Sequence, residues 1–222
     1  MQRHFDEELK ELHKAILSMG ALTQEAIFKS IEALKDRDKA AANNVINDDA
    51  KIDELELAID ERCVDLIARQ QPMASDLRFI ATAMKINADL ERIADLAVDI
   101  AQRVLELADK PLLKPLVDTP KLSAIAQNMV RDAIDAFVNK DVALAKQVVL
   151  SDAEADKLRN LIQDELINDY MARDPSVAPR AVPLLLIARH LERICDHATN
   201  IAEDVIYMVE AKVVKHHPEE LG

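Results

Sequence analysis

The chain repeats itself. The stretch Leu90-Glu91-Arg92-Ile93-Ala94-Asp95-Leu96-Ala97-Val98-Asp99-Ile100-Ala101 returns as Leu191-Glu192-Arg193-Ile194-Cys195-Asp196-His197-Ala198-Thr199-Asn200-Ile201-Ala202, with eight of the twelve positions identical. Upstream, residues 53–72 match 156–175 at an offset of 103, which also sets Asp49 on Asp152, Ile31 on Ile134 and Asp38 on Asp141. The chain is therefore a duplication of about half its length, and any unit that one half forms has to be formed again by the other.

That unit is helical. Two glycines and an aromatic content of 3% leave almost nothing for left-handed turns or for filling a sandwich or barrel, which disfavours an all-β fold. At 222 residues the chain is long enough to bury a real core in one or two domains without disulfides or a structural metal. Proline is costly inside a helix and frequent at its first positions, so it marks the seams. Pro72 ends one helix, Pro111, Pro115 and Pro120 mark a linker between the halves, and Pro175, Pro179 and Pro183 occupy the matching later turn. Asp38 and Asp141 read as N-caps, and Thr119-Pro120 reads as an N-cap followed by proline at the first helical position. Helices are predicted over residues 5–37, 39–71, 75–109, 120–139, 141–173 and 177–214.

The apolar residues have coiled-coil spacing. Ile86, Leu90, Ile93, Ala97, Ile100, Val104 and Leu107 alternate steps of four and three, a seam that faces partner helices. Val45, Ile52, Leu55, Ile59 and Leu66 on the second helix, with Leu9, Leu12, Ile16 and Met19 on the first, let each half close as an up-down-up bundle. The expected fold is all-α, two tandem homologous three-helix bundles over residues 1–110 and 120–216, with a linker at 111–119 and a tail at 217–222.

Charge excludes several functions. A net charge of −13 repels a phosphate backbone, and two Tyr, four Phe and no Trp offer hardly any stacking platform, which disfavours direct nucleic-acid binding. The first eight residues, Met1-Gln2-Arg3-His4-Phe5-Asp6-Glu7-Glu8, carry no apolar signal core, and the longest unbroken apolar run, Leu184 to Ala188, is too short to span a bilayer. The chain reads as cytoplasmic, with Cys63 and Cys195 reduced and structural.

The acidic residues fall in rows. Glu91, Asp95 and Asp99 are spaced i, i+4, i+8 on the third helix, away from its apolar seam, and Asp49, Asp53, Glu56 and Asp60 form a second stripe on the second helix. In the second half Asp152, Asp156 and Asn160 continue the pattern, but Arg159 replaces Glu56 and Gln163 replaces Asp60, while Glu192 and Asp196 are followed by Asn200. Like charges at i, i+4 cost a few tenths of a kcal/mol per pair, so stacked stripes require a bound cation or a solvated position. Both readings stand: a solvated face relieved by Arg92, Arg103, Arg189 and Arg193, or sites for Mg²⁺, Mn²⁺, Fe or Zn²⁺, stronger in the first half. His197 faces Leu96 in the repeat and reads as a solvated or capping histidine rather than a ligand. No ExxH, HExxH, phosphate-cradling glycine loop or nucleophile motif occurs, so nothing points to catalysis. A metal-storage protein and a carboxylate-bridged enzyme are the other classes that acidic rows allow, the second needing open coordination positions and a pocket.

In the paired LERIAD and LERICDHATNIAE segments the sequence resembles the PhoU family of phosphate-transport accessory and regulatory proteins. The similarity extends over essentially the whole chain, including Phe5 to Met19, the run Arg69-Gln70-Gln71-Pro72-Met73-Ala74-Ser75-Asp76-Leu77-Arg78 and both halves. The glycine common in the family's motif is Ala94 here and Cys195 in the second copy, both small. The resemblance implies a non-enzymatic adaptor that links the phosphate-uptake ABC transporter, through its ATPase subunit, to a membrane-bound sensor histidine kinase and represses the phosphate-starvation response when phosphate is plentiful. It also implies metal binding through paired E/DxxxD motifs. These match Glu56xxxAsp60 with Glu91xxxAsp95 and, in the second half, Glu192xxxAsp196, with Asp152xxxAsp156 and Asp156xxxAsn160 as partial matches. The expected ligand set is therefore Asp53, Glu56, Asp60, Glu91, Asp95 and Asp99, then Asp152, Asp156, Glu192, Asp196 and Asn200. A homodimer, held to the membrane only through partners, completes the expectation.

Overall fold

The computed structural model describes residues 2–214, and among them there is no strand. The helices are α1 (Gln2–Asp36), α2 (Lys39–Asp48), α3 (Ala50–Gln70), α4 (Ala74–Leu107), α5 (Asp118–Asn139), α6 (Val142–Asp164) and α7 (Ala178–Glu210). A π-helical turn, Glu165–Met171, continues α6, and a short 3-10 turn, Pro175–Val177, leads into α7. The tail expected at 217–222 lies outside the described residues.

Two aspartates start helices as expected. The Asp38 side chain accepts from the Ala40 and Ala41 amides at 2.8 and 3.1 Å, and the Asp141 side chain accepts from Leu144 N–H at 3.0 Å, so each satisfies donors that the helix leaves open. Four expectations need correction. The second helix is not continuous: it breaks at Asp49, whose carbonyl accepts from both Ile52 and Asp53 amides at 2.7 and 3.1 Å in a tightened turn. Thr119 does not cap α5, which begins at Asp118, and is itself buried inside the first turn. Pro183 is not in a turn but inside α7. Its missing N–H would have bonded the Pro179 carbonyl, and that carbonyl instead accepts from Lys110 Nζ at 2.9 Å. The last helix also stops at Glu210, earlier than expected, with Ala211 in the left-handed region at φ 56°.

Each half packs three helical arms, and the two halves share one core. Ile86, Leu90, Ile93, Ala97, Ile100 and Val104 are all buried, as the seam requires, and the small residues Ala94 and Cys195 are buried at the positions where bulk would separate helices. Helix α4 packs against α1, α2 and α3 of its own half, but its most extensive contact is with α7 of the other half, and α1 also touches α5. Along α4, Arg78, Lys85, Asp89 and Asp99 meet Met208, Asp204, His197 and His190, so the two central helices run antiparallel. No described helix is long and apolar enough to cross a membrane.

Candidate functional site: the two carboxylate rows

The first row begins at the break at Asp49. Next to it Asp49, Asp53 and Glu56 lie close enough to Glu91 and Asp95 of α4 for their charges to act on one another. Burial is the main cause that lifts the Asp49 carboxyl, to about 6, and the neighbouring charges of Asp53 and Asp95 add to it. Burial likewise raises Glu56, with Asp60 and Asp53 adding and Arg92 opposing. Glu91 is raised by burial and by Asp95, Glu56 and Asp53, again against Arg92. Arg92 pairs with Asp95 at 2.9 Å and Glu91 at 3.4 Å from an exposed position. Among the described residues none of Asp49, Asp53, Glu56 and Asp60 stands in an ion pair. The buried amide of Asn87 fixes the spacing of the two helices, donating to the Glu56 carbonyl at 2.9 Å and to Asp60 Oδ1 at 3.2 Å. Sequence periodicity gave no hint of Asn87, because a lone buried amide leaves no pattern.

Asp99 does not join this row. It lies 3.7 Å from His190 of α7, and its charge acts on that histidine rather than on Asp49, Glu56 or Glu91. His197 is neither solvated nor a cap: its side chain is mostly buried and its Nδ1 sits 2.8 Å from Asp89 Oδ1 across the two halves. A third cross-half contact joins Lys85 to the buried Asp204 at 2.8 Å; Asp204 continues the four-residue spacing of Glu192, Asp196 and Asn200, but nothing in that spacing pointed to Lys85 as its partner.

The second row is built on the same plan with a cation inserted. Arg159, at the position of Glu56, reaches Glu192 at 2.9 Å and Asp156 at 3.7 Å. Asp152 is still pushed up by burial and by Asp156 and Glu192. Asp196 is lifted to about 6 by burial and by Glu192, Asp152 and Asp156, with His197 opposing. Asn200 forms no hydrogen bond among the described residues.

The donor chemistry of the first row fits a hard or borderline cation. Its groups are carboxylate oxygens whose charges raise one another, and a divalent ion would relieve that repulsion. No group of three or more His, Cys, Asp or Glu side chains among the described residues converges on one metal position, so ligation requires the carboxylates of the row to move. Cys63 is pushed up to about 12 by burial, Cys195 is raised in the same way, and both are free, so neither thiol offers a reactive or ligating sulfur at neutral pH.

Comparison with known proteins covers both halves. The PhoU domain model matches residues 16–104 and again 119–205. A protein of Aquifex aeolicus named phosphate-specific transport system accessory protein PhoU homolog is 43% identical over 216 residues, 97% of each chain. A Serratia marcescens protein named phosphate-specific transport system accessory protein PhoU is 34% identical over 96% of this chain and 87% of its own length. The crystal structure of PhoU from Pseudomonas aeruginosa superposes with a TM-score of 0.90 at 38% identity, covering 94% of this chain and all of that one. That of the phosphate transport system regulatory protein PhoU from Streptococcus pneumoniae gives 0.88 at 31% identity, covering 95% of this chain and 99% of that one.

Proposed function

Because the chain belongs to the PhoU family, we propose that it is a non-enzymatic accessory protein of a phosphate-transport system. The observation that carries this reading is the double match of the family domain, coextensive with relatives that bear that name. We further propose that it couples the ATPase subunit of a phosphate ABC transporter to a sensor histidine kinase, in the cytoplasm and as a homodimer, and silences the starvation response when phosphate is abundant. Long rigid helices with charged outer faces suit that task, since they present large surfaces on which electrostatics set orientation and encounter rate.

Metal belongs to this proposal as a cross-link within the acidic rows. Asp53, Glu56, Asp60, Glu91 and Asp95 would hold Mg²⁺, Mn²⁺, Fe or Zn²⁺ in the first half. Asp152, Asp156, Glu192, Asp196 and Asn200 form the weaker set, because Arg159 already supplies positive charge there. A bound ion supplies charge neutralisation between α3 and α4 and no chemical step.

The test is alkaline phosphatase activity in the source organism grown in abundant phosphate, with the gene, without it, and with the deletion complemented. High activity in the deletion that falls on complementation supports repression. Activity unchanged by deletion sinks it. Charge reversal at Asp95 and Asp196 then addresses the rows: a variant that keeps both partner association and metal uptake reduces them to a solvated surface.

A further inference from the structure

The two halves differ in charge at one cleft. In the first half the facing positions of α3 and α4 carry Glu56, Asp60, Ala88 and Arg92. The equivalent positions of α6 and α7 carry Arg159, Gln163, Arg189 and Arg193, so three cationic groups replace one and both acids are gone. A neutral duplication copies a pattern, whereas this one has been inverted at a cleft that remains open, with a cavity of about 480 Å³ lined by these four residues together with Glu192 and Asp196.

Arg159 balances the acidic row, but Arg189 and Arg193 do not. Arg92, in the first half, pairs with both of its neighbouring carboxylates. Its counterpart Arg193 does not, and among the described residues neither Arg189 nor Arg193 stands in an ion pair or hydrogen bond. The charges that act on Asp196 are Glu192, Asp152, Asp156 and His197, not these two guanidinium groups. Arg159 is held at the wall of the cleft by Glu192, and its Nε is buried without any partner. Arg189 and Arg193 are exposed guanidinium forks one helical turn apart, about 5–6 Å between their Cβ atoms, and both line the cleft, a donor set suited to a tetrahedral oxyanion.

We propose that this α6–α7 cleft binds inorganic phosphate, with Arg189 and Arg193 as the anion-holding groups and Gln163 as a further donor. The carboxylates in the lining select among oxyanions. At neutral pH phosphate retains a P–OH, which donates to Asp196 or Glu192, whereas sulfate has no proton to donate and meets those carboxylates with repulsion. The choice of phosphate over other protonated oxyanions rests on the accessory-protein reading. Binding in vitro and the phosphatase phenotype are separate measurements, so either can fail alone.

Titration calorimetry of the full chain with sodium phosphate, in metal-free buffer of low ionic strength, tests this directly. Saturable binding of phosphate is expected, weakened about tenfold or more for sulfate. The R189A/R193A pair is expected to weaken phosphate binding by about tenfold or more, while R131A, which removes a surface arginine on α5, leaves it unchanged. Circular dichroism confirms that the pair variant is folded, and R189Q/R193Q provides a second version that keeps side-chain bulk. Absence of saturable phosphate binding at millimolar concentration, full retention by both pair variants, or sulfate bound as tightly as phosphate overturns the proposal.

Discussion

Asp49 is charged at a cost. Its carboxyl is lifted to about 6 by burial and by Asp53 and Asp95, while in the unfolded chain it titrates near its ordinary value of about 4. Between those values the native chain binds a proton that the unfolded chain has released, so stability falls as pH rises through that window and levels off above it. Asp49→Asn is expected to reduce that slope, leaving the part that the other raised carboxyls such as Asp196 contribute, and to raise the unfolding free energy at neutral pH by about 1 kcal/mol, the full difference being reduced by solvent screening. Urea unfolding of the two proteins at about pH 5 and about pH 7 checks both parts, and equal stability at both pH values would remove the repulsion argument. Lys140 gives a simpler case. It closes α5 in the left-handed region, φ 53° and ψ 38°, where a side chain is strained and glycine is not. Lys140→Gly is expected to stabilise by about 0.5–1 kcal/mol, measured as a higher urea midpoint. Arg37, Gln71 and Ala211 hold the same conformation, so the scarcity of glycine predicted few left-handed turns and the chain makes them with strained residues instead.

Helices in this protein meet through a few specific contacts. Phe137 of α5 stacks on Phe79 of α4 with ring centroids 5.5 Å apart, and His13 of α1 stands edge-on to both. Burial lowers His13, which keeps this edge neutral against the rings. Phe137 is fully buried, so Phe137→Ala is expected to cost about 3–5 kcal/mol in chemical unfolding, a loss felt by three helices at once. At Gly20 an added Cβ would stand 2.5 Å from the Ile134 Cδ1 of α5, a methyl that can rotate away from Ala but not from a larger side chain. The carboxylate rows belong to the same scale. Millimolar Mg²⁺ or Mn²⁺ is expected to raise the thermal midpoint at about pH 7 and to raise it much less at about pH 5, where Asp49 binds a proton. Loss of the gain in Glu91→Gln/Asp95→Asn would tie it to α3 and α4, and an undiminished gain would place the ion elsewhere. Much of this scale was legible in the sequence: the period gave the buried seam, the repeat aligned the two rows, and Asp38 and Asp141 announced their helices. The break at Asp49 and the proline inside α7 were not legible: the first is a tightened turn at a residue with no helix-breaking side chain, and the second depends on a partner far along the chain. For Pro183 that partner is Lys110, which takes up the carbonyl that the missing amide leaves open.

For the molecule as a whole, the central question is whether the halves are independent. The duplicated sequence suggests two bundles, and the seam spacing on α4 is equally compatible with facing its own half, the other half or another copy. The structure assigns much of that seam to α7, and a hydrophobic pattern alone could not have distinguished these cases. Polar contacts between the halves reinforce the assignment: Asp89 with His197, Asp99 with His190, and Lys85 with Asp204. The last of these is the most consequential, because the Asp204 side chain is only 7% exposed while Lys85 remains 54% exposed. Removing the lysine leaves a buried charge without its partner, so Lys85→Met is expected to destabilise by about 1–3 kcal/mol. Adding Asp204→Asn should recover much of that loss, since an amide is cheaper to bury unpaired than a carboxylate. If the halves form one cooperative core, the Lys85→Met loss appears as a shift of a single urea transition, seen at the same midpoint by circular dichroism and by a cysteine-accessibility probe of Cys63 and Cys195. Cys63 is buried in the first half and Cys195 in the second, so each reports on its own half. Two transitions, with only one displaced by the substitution, would show that the bundles unfold separately and that their shared seam is a docking contact rather than a common core.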